Sequence, residues 1–336
     1  MSGEWSNVTE ISTSTSAGSI FSNGLHMITI NVKTISTDKD LNPVIVDPTL
    51  LQQNISLIDY DADQYNNGGG NLDFIKRESF DIDDEMSAGW FYTTEPNEFT
   101  SSYLNQRSDT NGQYQTTTFY VFTYGTSGSG RKSIGVKITP KSSTIDPNAT
   151  ANTIYFNYNN NPNNKDFASV MVNTPITYYA KDVERTWTTY PGDNNSDGTY
   201  TNYSLRPIDK QYIFVKSRLY GPAQDLANNY VAHKIHDGGN GRFLYMWDIG
   251  QKVTNNKLGL PPYTTATVNQ NPGTFNFTRS WQQNKREWVT EEIAHSCIFK
   301  VCDQFGNSGR LMNSGDTGLL QVSSGYWLDV QIIDAT

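Results

Sequence analysis

Acidic and amide side chains alternate in one short segment, residues 193–198, which has the sequence DNNSDG. The side-chain oxygens of Asp193, Asn195 and Asp197 can turn toward one cation, and the glycine that follows permits the sharp turn of a calcium loop. The twelfth position is Ser204 and not the bidentate glutamate of an EF-hand. The pattern therefore indicates either a looser calcium site of the kind found in β-proteins or a solvated turn.

A second acidic triplet repeats this alternation. Asp59, Asp61 and Asp63 stand two residues apart, but Gln64 occupies the place of the glycine. The triplet is a further calcium candidate that matches the loop pattern less closely.

Histidine and cysteine offer a different metal chemistry. His233 and His236 would lie about one turn apart on a helix, and His295 with Cys297 could complete a zinc shell. Nothing in the sequence brings these segments together, so helix capping and ordinary packing are the alternatives. Cys297 and Cys302 would face opposite sides of a shared strand, which disfavours a disulfide between them.

A glycine-rich segment, residues 125–133, nearly matches a phosphate-binding loop. Its sequence is GTSGSGRKS, in which Arg131 is an extra residue before the lysine. Phosphate binding also needs a helix directly afterwards, because the helix N-terminal amides hold the phosphate. A strand pattern follows instead, so a plain loop is the preferred interpretation.

Catalysis by paired carboxylates is the remaining enzymatic option. An acidic cluster that could contain such a pair for glycoside cleavage consists of Asp81, Asp83, Asp84 and Glu85. The sequence fixes no partner at the required distance, and it contains no Gly-x-Ser-x-Gly motif. It therefore favours a protein without enzymatic activity.

Aromatic residues offer binding by stacking. Several lie in segments rich in Asn, Thr and Asp: Trp90, Phe91, Tyr92, Trp187, Tyr190, Trp247, Trp281 and Trp288. Such mixtures can stack on sugar rings while amides and hydroxyls bind the sugar hydroxyls. The alternative is that these rings fill cores or subunit interfaces, since the chain has few aliphatic residues for that purpose.

The elements that would position these residues are mostly strands. Segment 28–33 alternates strictly, and segments 113–124 and 133–139 flank a Gly-Ser loop in the manner of a long hairpin. Further strands are predicted at 153–158, 169–172, 176–180, 212–218, 243–247, 296–301 and 326–333. Two stretches, 222–235 and 284–295, carry a helical pattern of apolar residues.

The length of 336 residues exceeds what one hydrophobic core usually supports. A segment of Ser, Thr, Asp, Pro and Asn at 141–150 predicts a linker between an N-terminal module at 1–140 and a C-terminal module at 151–336, which could itself divide in two. The predicted fold class is all-β, with two or more antiparallel sandwich modules of immunoglobulin-like or jelly-roll-like type and one or two short helices.

Two turn segments resemble bacterial immunoglobulin-like modules of the invasin and intimin type. In TISTDKDLNPVIV the matching residues are Asp38, Asn42, Pro43 and Val44, with Leu41 in place of the usual glycine. In CIFKVCDQFGNSGRL they are Asp303, Gly306 and Asn307. The resemblance implies a sandwich that serves as a spacer or an adhesive module, and it assigns no catalytic residue.

Charge excludes several classes of partner. The net charge of -9 argues against nucleic acid and against acidic lipid surfaces, because both recruit basic clusters. No apolar run is long enough for a transmembrane helix, and the first residues lack the pattern of a secretion signal. Composition favours an extracellular or surface-associated protein that is exported without such a signal or has lost it.

Three functions fit these features. The first is a structural or adhesive protein that forms a homo-oligomer or binds a surface partner; the others are a carbohydrate-binding module and a secreted toxin component. No cofactor is expected apart from calcium. The terminal strand at 326–333 lacks the Lys and Pro that normally protect sheet edges. The residues predicted to form a subunit contact are Tyr326, Trp327, Val330 and Ile332, and the N-terminal segment 4–11 is the alternative.

Overall fold

The chain divides into two compact units, Met1–Pro175 and Ile176–Thr336. In the computed structural model, the described residues are 4–60, 74–78, 81–101, 114–126, 130–140, 151–152, 167–191, 198–220, 224–226, 229–237, 240–250, 253–258, 264–268, 271–282, 293–294, 298–313 and 332–335. Each unit consists mainly of β-strands.

The described residues of the first unit form two sheets. Its elements are β1 (Asn7–Thr15), β2 (Ser19–Phe21), β3 (Met27–Thr37), α1 (Pro48–Gln53), β4 (Ile55–Asp59), β5 (Ile75–Lys76), β6 (Gly89–Thr93), β7 (Thr100–Ser101), β8 (Gln115–Tyr124), β9 (Arg131–Ile138), β10 (Ala151–Asn152) and β11 (Ala168–Asn173). One sheet has the strand order β1-β3-β8-β6-β5 with β7 beside β3, and the other has the order β10-β9-β11-β2 with β4 beside β9.

The core of the first unit lies between these sheets. Side chains alternate between the two faces of a strand, so every second residue of β8 points inward, among them Phe119 and Val121. These side chains pack in one cluster with Ile134 and Val136 of β9 in the other sheet. Full burial of one such side chain stabilises the fold by about 1.5–3 kcal/mol. The core is therefore a sandwich core, shared by two sheet faces.

In the part of the second unit that the structure describes, there are again two large sheets. Its elements are a 3-10 turn (Ala180–Asp182), β12 (Val183–Pro191), β13 (Gly198–Pro207), β14 (Phe214–Tyr220), β15 (Gln224–Leu226), β16 (Asn229–Asp237), β17 (Asn240–Trp247), β18 (Val253–Leu258), β19 (Thr264–Val268), β20 (Phe275–Gln282), β21 (Ile293–Ala294), β22 (Ile298–Asp303), β23 (Ser308–Asn313) and β24 (Ile332–Asp334). The larger sheet has the order β12-β13-β20-β17-β16-β15 with β21 beside β16, and the smaller has the order β14-β22-β23-β24. Strands β18 and β19 form a separate pair.

The core of the second unit depends on aromatic rings. Phe275 of the larger sheet stacks on Phe299 of the smaller sheet with ring centroids 4.4 Å apart. Tyr203 stacks on Phe277 within the larger sheet at 4.7 Å, and both rings are buried. Aromatic pairs in this geometry add about 0.5–1.5 kcal/mol beyond the area they bury. Part of the aromatic surplus in the sequence is thus core.

The all-β prediction is confirmed, but the predicted position of the helix is wrong. Segment 222–235 contributes β15 and most of β16, because pairing with β17 and β21 outweighs the local helical spacing of its apolar residues. In segment 284–295 the described residues form strand β21. The α-helix of the described residues lies elsewhere, at Pro48–Gln53, where Asp47 caps its start by accepting a hydrogen bond from the Leu50 amide. No helix in the described ranges is long and apolar enough to cross a membrane.

The predicted hairpin is also wrong. Strands β8 and β9 form where expected, yet β8 pairs with β3 and β6, whereas β9 pairs with β4, β10 and β11. The Gly-Ser loop therefore joins the two sheets of the sandwich.

Strands β10 and β11, which the sequence places in the C-terminal module at 151–336, belong to a sheet of the first unit, and the division between the units falls after Pro175. Residues 141–150 lie outside the described residues.

Candidate ligand-binding cleft

The larger sheet of the second unit has a polar outer face. Along β13, Tyr203 and Leu205 point into the core, so the period of two places Tyr200, Asn202 and Ser204 on the opposite side. Strand β20 continues the pattern, with Phe275 and Phe277 in the core and Asn276 and Thr278 in register with Ser204 and Asn202. Amides and hydroxyls therefore collect on the face that does not carry the core.

A chain of hydrogen bonds fixes these amides. Thr278 Oγ1 donates to Asn202 Oδ1 at 2.7 Å and accepts from Trp247 Nε1 at 2.9 Å. Asn202 Nδ2 donates to the Thr267 carbonyl of β19 at 2.7 Å. The hairpin β18–β19 is thereby attached to the outer face, and the Asn202 amide is held in one orientation.

Between this hairpin and strands β12 and β13 lies a cleft of about 360 Å³, called here the outer cleft. It is lined by Thr186, Trp187, Thr188, Tyr190, Tyr200, Asn202, Ser204, Thr267, Asn271, Asn276 and Thr278. None of these described lining residues is charged. A polar cleft without charge matches a ligand that is rich in hydroxyl groups and carries no net charge.

Two tyrosines form an aromatic platform at one end of the outer cleft. Tyr190 and Tyr200 are cross-strand neighbours whose rings stack with centroids 4.9 Å apart. Tyr190 is 40% exposed, although its ring is large and aromatic. Trp187 is in register with Tyr203, so its ring lies on the opposite face of the sheet from this platform. Exposed rings beside fixed amides can contact the apolar face of a ligand while the amides bind its hydroxyls.

The predicted calcium residues Asp193, Asn195 and Asp197 lie outside the described residues, between β12 and β13 in sequence. Asp61 and Asp63 also lie outside them, whereas Asp59 forms an ion pair with Lys132. Among the residues that the structure describes, no cluster of three or more His, Cys, Asp or Glu side chains could hold a metal ion. Calcium binding at 193–198 stays a prediction.

The predicted zinc ligands are not all described. His233 and His236 lie in strand β16 and not in the helix that would bring them one turn apart. Backbone pairing does bring His233 opposite Ala294 of β21, the residue before His295. His295 and Cys297 themselves are outside the described residues, and Cys302 is buried in the core.

The acidic cluster forms a turn with its own hydrogen bonds. Asp84 Oδ2 accepts from Arg77 Nη2 at 3.0 Å and from the Asp81 amide at 2.6 Å. Asp81 Oδ1 accepts from the Asp83 amide at 3.0 Å. The carboxylates of Asp81 and Asp84 therefore accept hydrogen bonds that hold the turn together.

The assembly residues are described only in part. Tyr326, Trp327 and Val330 lie outside the described residues, and Ile332 begins β24, where its backbone pairs with Asn313 of β23. A subunit contact there stays a prediction.

A buried histidine that the sequence does not reveal lies in the first unit. The Phe21 amide donates to His26 Nδ1 at 3.0 Å, so Nε2 carries the ring proton and donates to Ser101 Oγ at 2.8 Å. Burial lowers the pKa of His26 to about 4. A neutral imidazole in this tautomer cannot take a proton from Ser101, so the pair is structural in this arrangement.

The sequence pattern names Trp187 and Tyr190 of the outer cleft but not Tyr200, and it does not name the amides. Of the predicted sugar-binding residues, Tyr190 and Trp187 line the cleft, although the Trp187 ring lies on the opposite face of the sheet. The Trp247 ring is buried and donates to Thr278 of the lining. Asn202 and Thr278 are not among the predicted binding residues, although both alternate with core aromatics in β13 and β20. That alternation was the signal that could have found them.

No protein-family model matches the chain, and no curated protein sequence matches it. In structure it is similar to the Yersinia pseudotuberculosis adhesin InvE, at 10% identity and a TM-score of 0.21 over 90% of this chain and 58% of that one. It is also similar to a membrane-anchored protein of Corynebacterium diphtheriae, at 9% identity and a TM-score of 0.15 over 96% of this chain and 57% of that one. The chain spans less than two thirds of either structure, and likenesses this distant carry no argument about its function.

Proposed function

We propose that this is a non-enzymatic adhesive β-protein that binds carbohydrate on a surface through the outer cleft of its second unit. The observation that carries the proposal is the pairing of an exposed tyrosine platform with amides held in place by hydrogen bonds. Sugar rings present an apolar face for stacking and a rim of hydroxyls for hydrogen bonding, and the cleft offers a partner for both.

The fixed geometry of the amides supports binding. Asn202 already donates to one backbone carbonyl and accepts from one hydroxyl, so its remaining hydrogen-bonding capacity points in a set direction. A site that is ordered before the ligand arrives loses less conformational entropy on binding. Single-site affinity for one sugar would still be modest, and adhesion would gain strength from many copies on one surface.

The same lining supports binding without cleavage. Glycoside hydrolysis needs two carboxyl groups on either side of the scissile bond. The described residues that line the outer cleft include neither aspartate nor glutamate. The proposal is therefore recognition, with the sugar released unchanged.

A glycan array probed with the full chain tests this proposal. We expect binding to a set of neutral glycans, and loss of most of that signal in Tyr190→Ala, because the outer ring of the platform is removed. Tyr124→Ala is the matched control, since Tyr124 is a similarly exposed tyrosine in the first unit. Absence of any glycan signal, or equal signals from both variants, would contradict the proposal.

A further inference from the structure

The outer cleft continues along β13 into a second cleft of about 510 Å³. The two share Thr186, Ser204 and Asn271 in their linings, so they form one groove on the same face of the sheet. Resting on the function proposed above, we propose that the ligand is an extended chain of neutral sugar units that lies across both clefts, and not a single terminal sugar.

The floor of this groove repeats a polar contact at regular intervals. Tyr200, Asn202, Ser204 and Arg206 follow one another along the outward side of β13, with successive residues about 7 Å apart. They present in turn an aromatic ring, an amide, a hydroxyl and a guanidinium. A row of contacts of this length serves a chain of several units better than one ring.

At the far end of the groove lie a paired arginine and an exposed isoleucine. Arg206 Nη2 lies 2.8 Å from Glu184 Oε2, so this cation is already paired. Ile213, 48% exposed, sits against Gly273, where an added Cβ would come within 3.0 Å of the Ile213 Cβ. The exposed Lys210 adds one cation at the rim. Stacking and packing, more than charge, are thus available to a distal sugar unit.

Calorimetric titration with sugar ladders tests the chain length directly. The probes are cello-, malto-, xylo-, manno- and chito-oligosaccharides of one to six units, with oligogalacturonates as the acidic arm. For the recognised neutral ladder we expect affinity to rise by about tenfold or more from one unit to four, which corresponds to about 1.4 kcal/mol.

Two variants locate the extra affinity. Ile213→Ala is expected to weaken binding of the four-unit chain by threefold or more while leaving the single sugar unchanged. Ile208→Ala is the matched control, because Ile208 is a similarly exposed isoleucine that lines neither cleft, and it should bind like the natural chain. Thermal melts of both variants establish that they are folded.

The outcomes separate the two proposals. If every chain length binds equally and Tyr190→Ala still abolishes binding, the carbohydrate function stands and the extended ligand is wrong. If Ile213→Ala and Ile208→Ala weaken the four-unit chain alike, the second cleft plays no part. Binding of the acidic ladder alone overturns the neutral ligand, and silence from every ladder overturns both proposals.

Discussion

The same asparagine–threonine pair occurs in both units, in different surroundings. Thr118 donates to Asn31 across β8 and β3 at 2.9 Å, and Thr278 donates to Asn202 across β20 and β13 at 2.7 Å. Both pairs are in register on their sheets. The first is half-buried on a sheet face, whereas the second is enclosed by Trp247 and by the hairpin β18–β19. The second pair thus becomes part of the outer cleft because Trp247 and the hairpin cover it.

A turn is repeated in the same way. The amides of Asp38 and Asp303 each donate to the carbonyl of an asparagine four residues on, at 2.9 Å in both turns. Each aspartate side chain accepts from the amide of that asparagine in return. The turn of Asp38 is exposed, whereas Asp303 is buried and also accepts from the Tyr178 hydroxyl at 2.8 Å. The two units therefore allow matched substitutions.

The largest expected difference is between the two aspartates. Asp303→Ala should lower the free energy of unfolding by about 3–5 kcal/mol, because several buried donors lose their acceptor at about 1–3 kcal/mol each. Asp38→Ala should shift the urea midpoint only slightly, since water replaces the lost acceptor. Urea denaturation followed by fluorescence measures both, and equal midpoints would remove the distinction between the turns.

The next largest difference in stability is expected between substitutions of Thr278 and Thr118. Thr278→Val keeps the side-chain shape but leaves Trp247 Nε1 and Asn202 Oδ1 without this partner, at a cost of about 2–3 kcal/mol. Thr118→Val should stay within about 0.5 kcal/mol of the natural chain, because its partner Asn31 is reached by water. Thermal melts of the two variants check this, and a Thr118→Val effect as large as that of Thr278→Val would contradict it.

Backbone conformation predicts a smaller, reciprocal pair of effects. Leu41 has φ 64° and Gly306 has φ 74° at equivalent positions of the two turns. A non-glycine residue in this left-handed region is disfavoured by about 1–2 kcal/mol. Leu41→Gly should therefore stabilise the protein by up to about 1 kcal/mol, and Gly306→Leu should destabilise it by about 1–2 kcal/mol. Destabilisation by Leu41→Gly would show that the strain argument fails in the first turn.

The pKa values of the Asp38 and Asp303 carboxyl groups should be shifted in opposite directions. The hydrogen bond from the Asn42 backbone amide lowers the pKa of Asp38 below 3.8, whereas burial raises the pKa of Asp303 above 3.8. The stabilisation from Asp38 is thus present above pH 3.8 and is lost as the pH falls through its folded pKa. Asp303 has the opposite sign, since protonation as the pH falls toward 3.8 favours the folded state. Carboxyl carbon NMR titration measures both midpoints, and the reverse order would contradict this assignment.

The sequence predicts where strands lie better than it predicts which strands pair with one another. Alternation located β3 at 28–33 and β17 at 243–247, because period two is a local property. It could not show that β8 and β9 join different sheets, or that the described residues of 222–235 form strands β15 and β16, because strand partners decide both. The outer cleft depends on the same kind of distant contact, since Asn202 bonds to residues 65 and 76 positions away. Single-sequence patterns name Tyr190 but neither Tyr200, its stacking partner, nor the amides that complete the cleft.

Amide NMR mapping of the full chain tests carbohydrate binding by the outer cleft most directly. Titration with the four-unit member of the tightest-binding ladder should shift the amides of Tyr200, Asn202 and Thr278 while leaving those of Asn31 and Thr118 unchanged. The account is contradicted if the Asn31–Thr118 pair shifts equally, or if the sugar binds without moving any amide of the outer cleft.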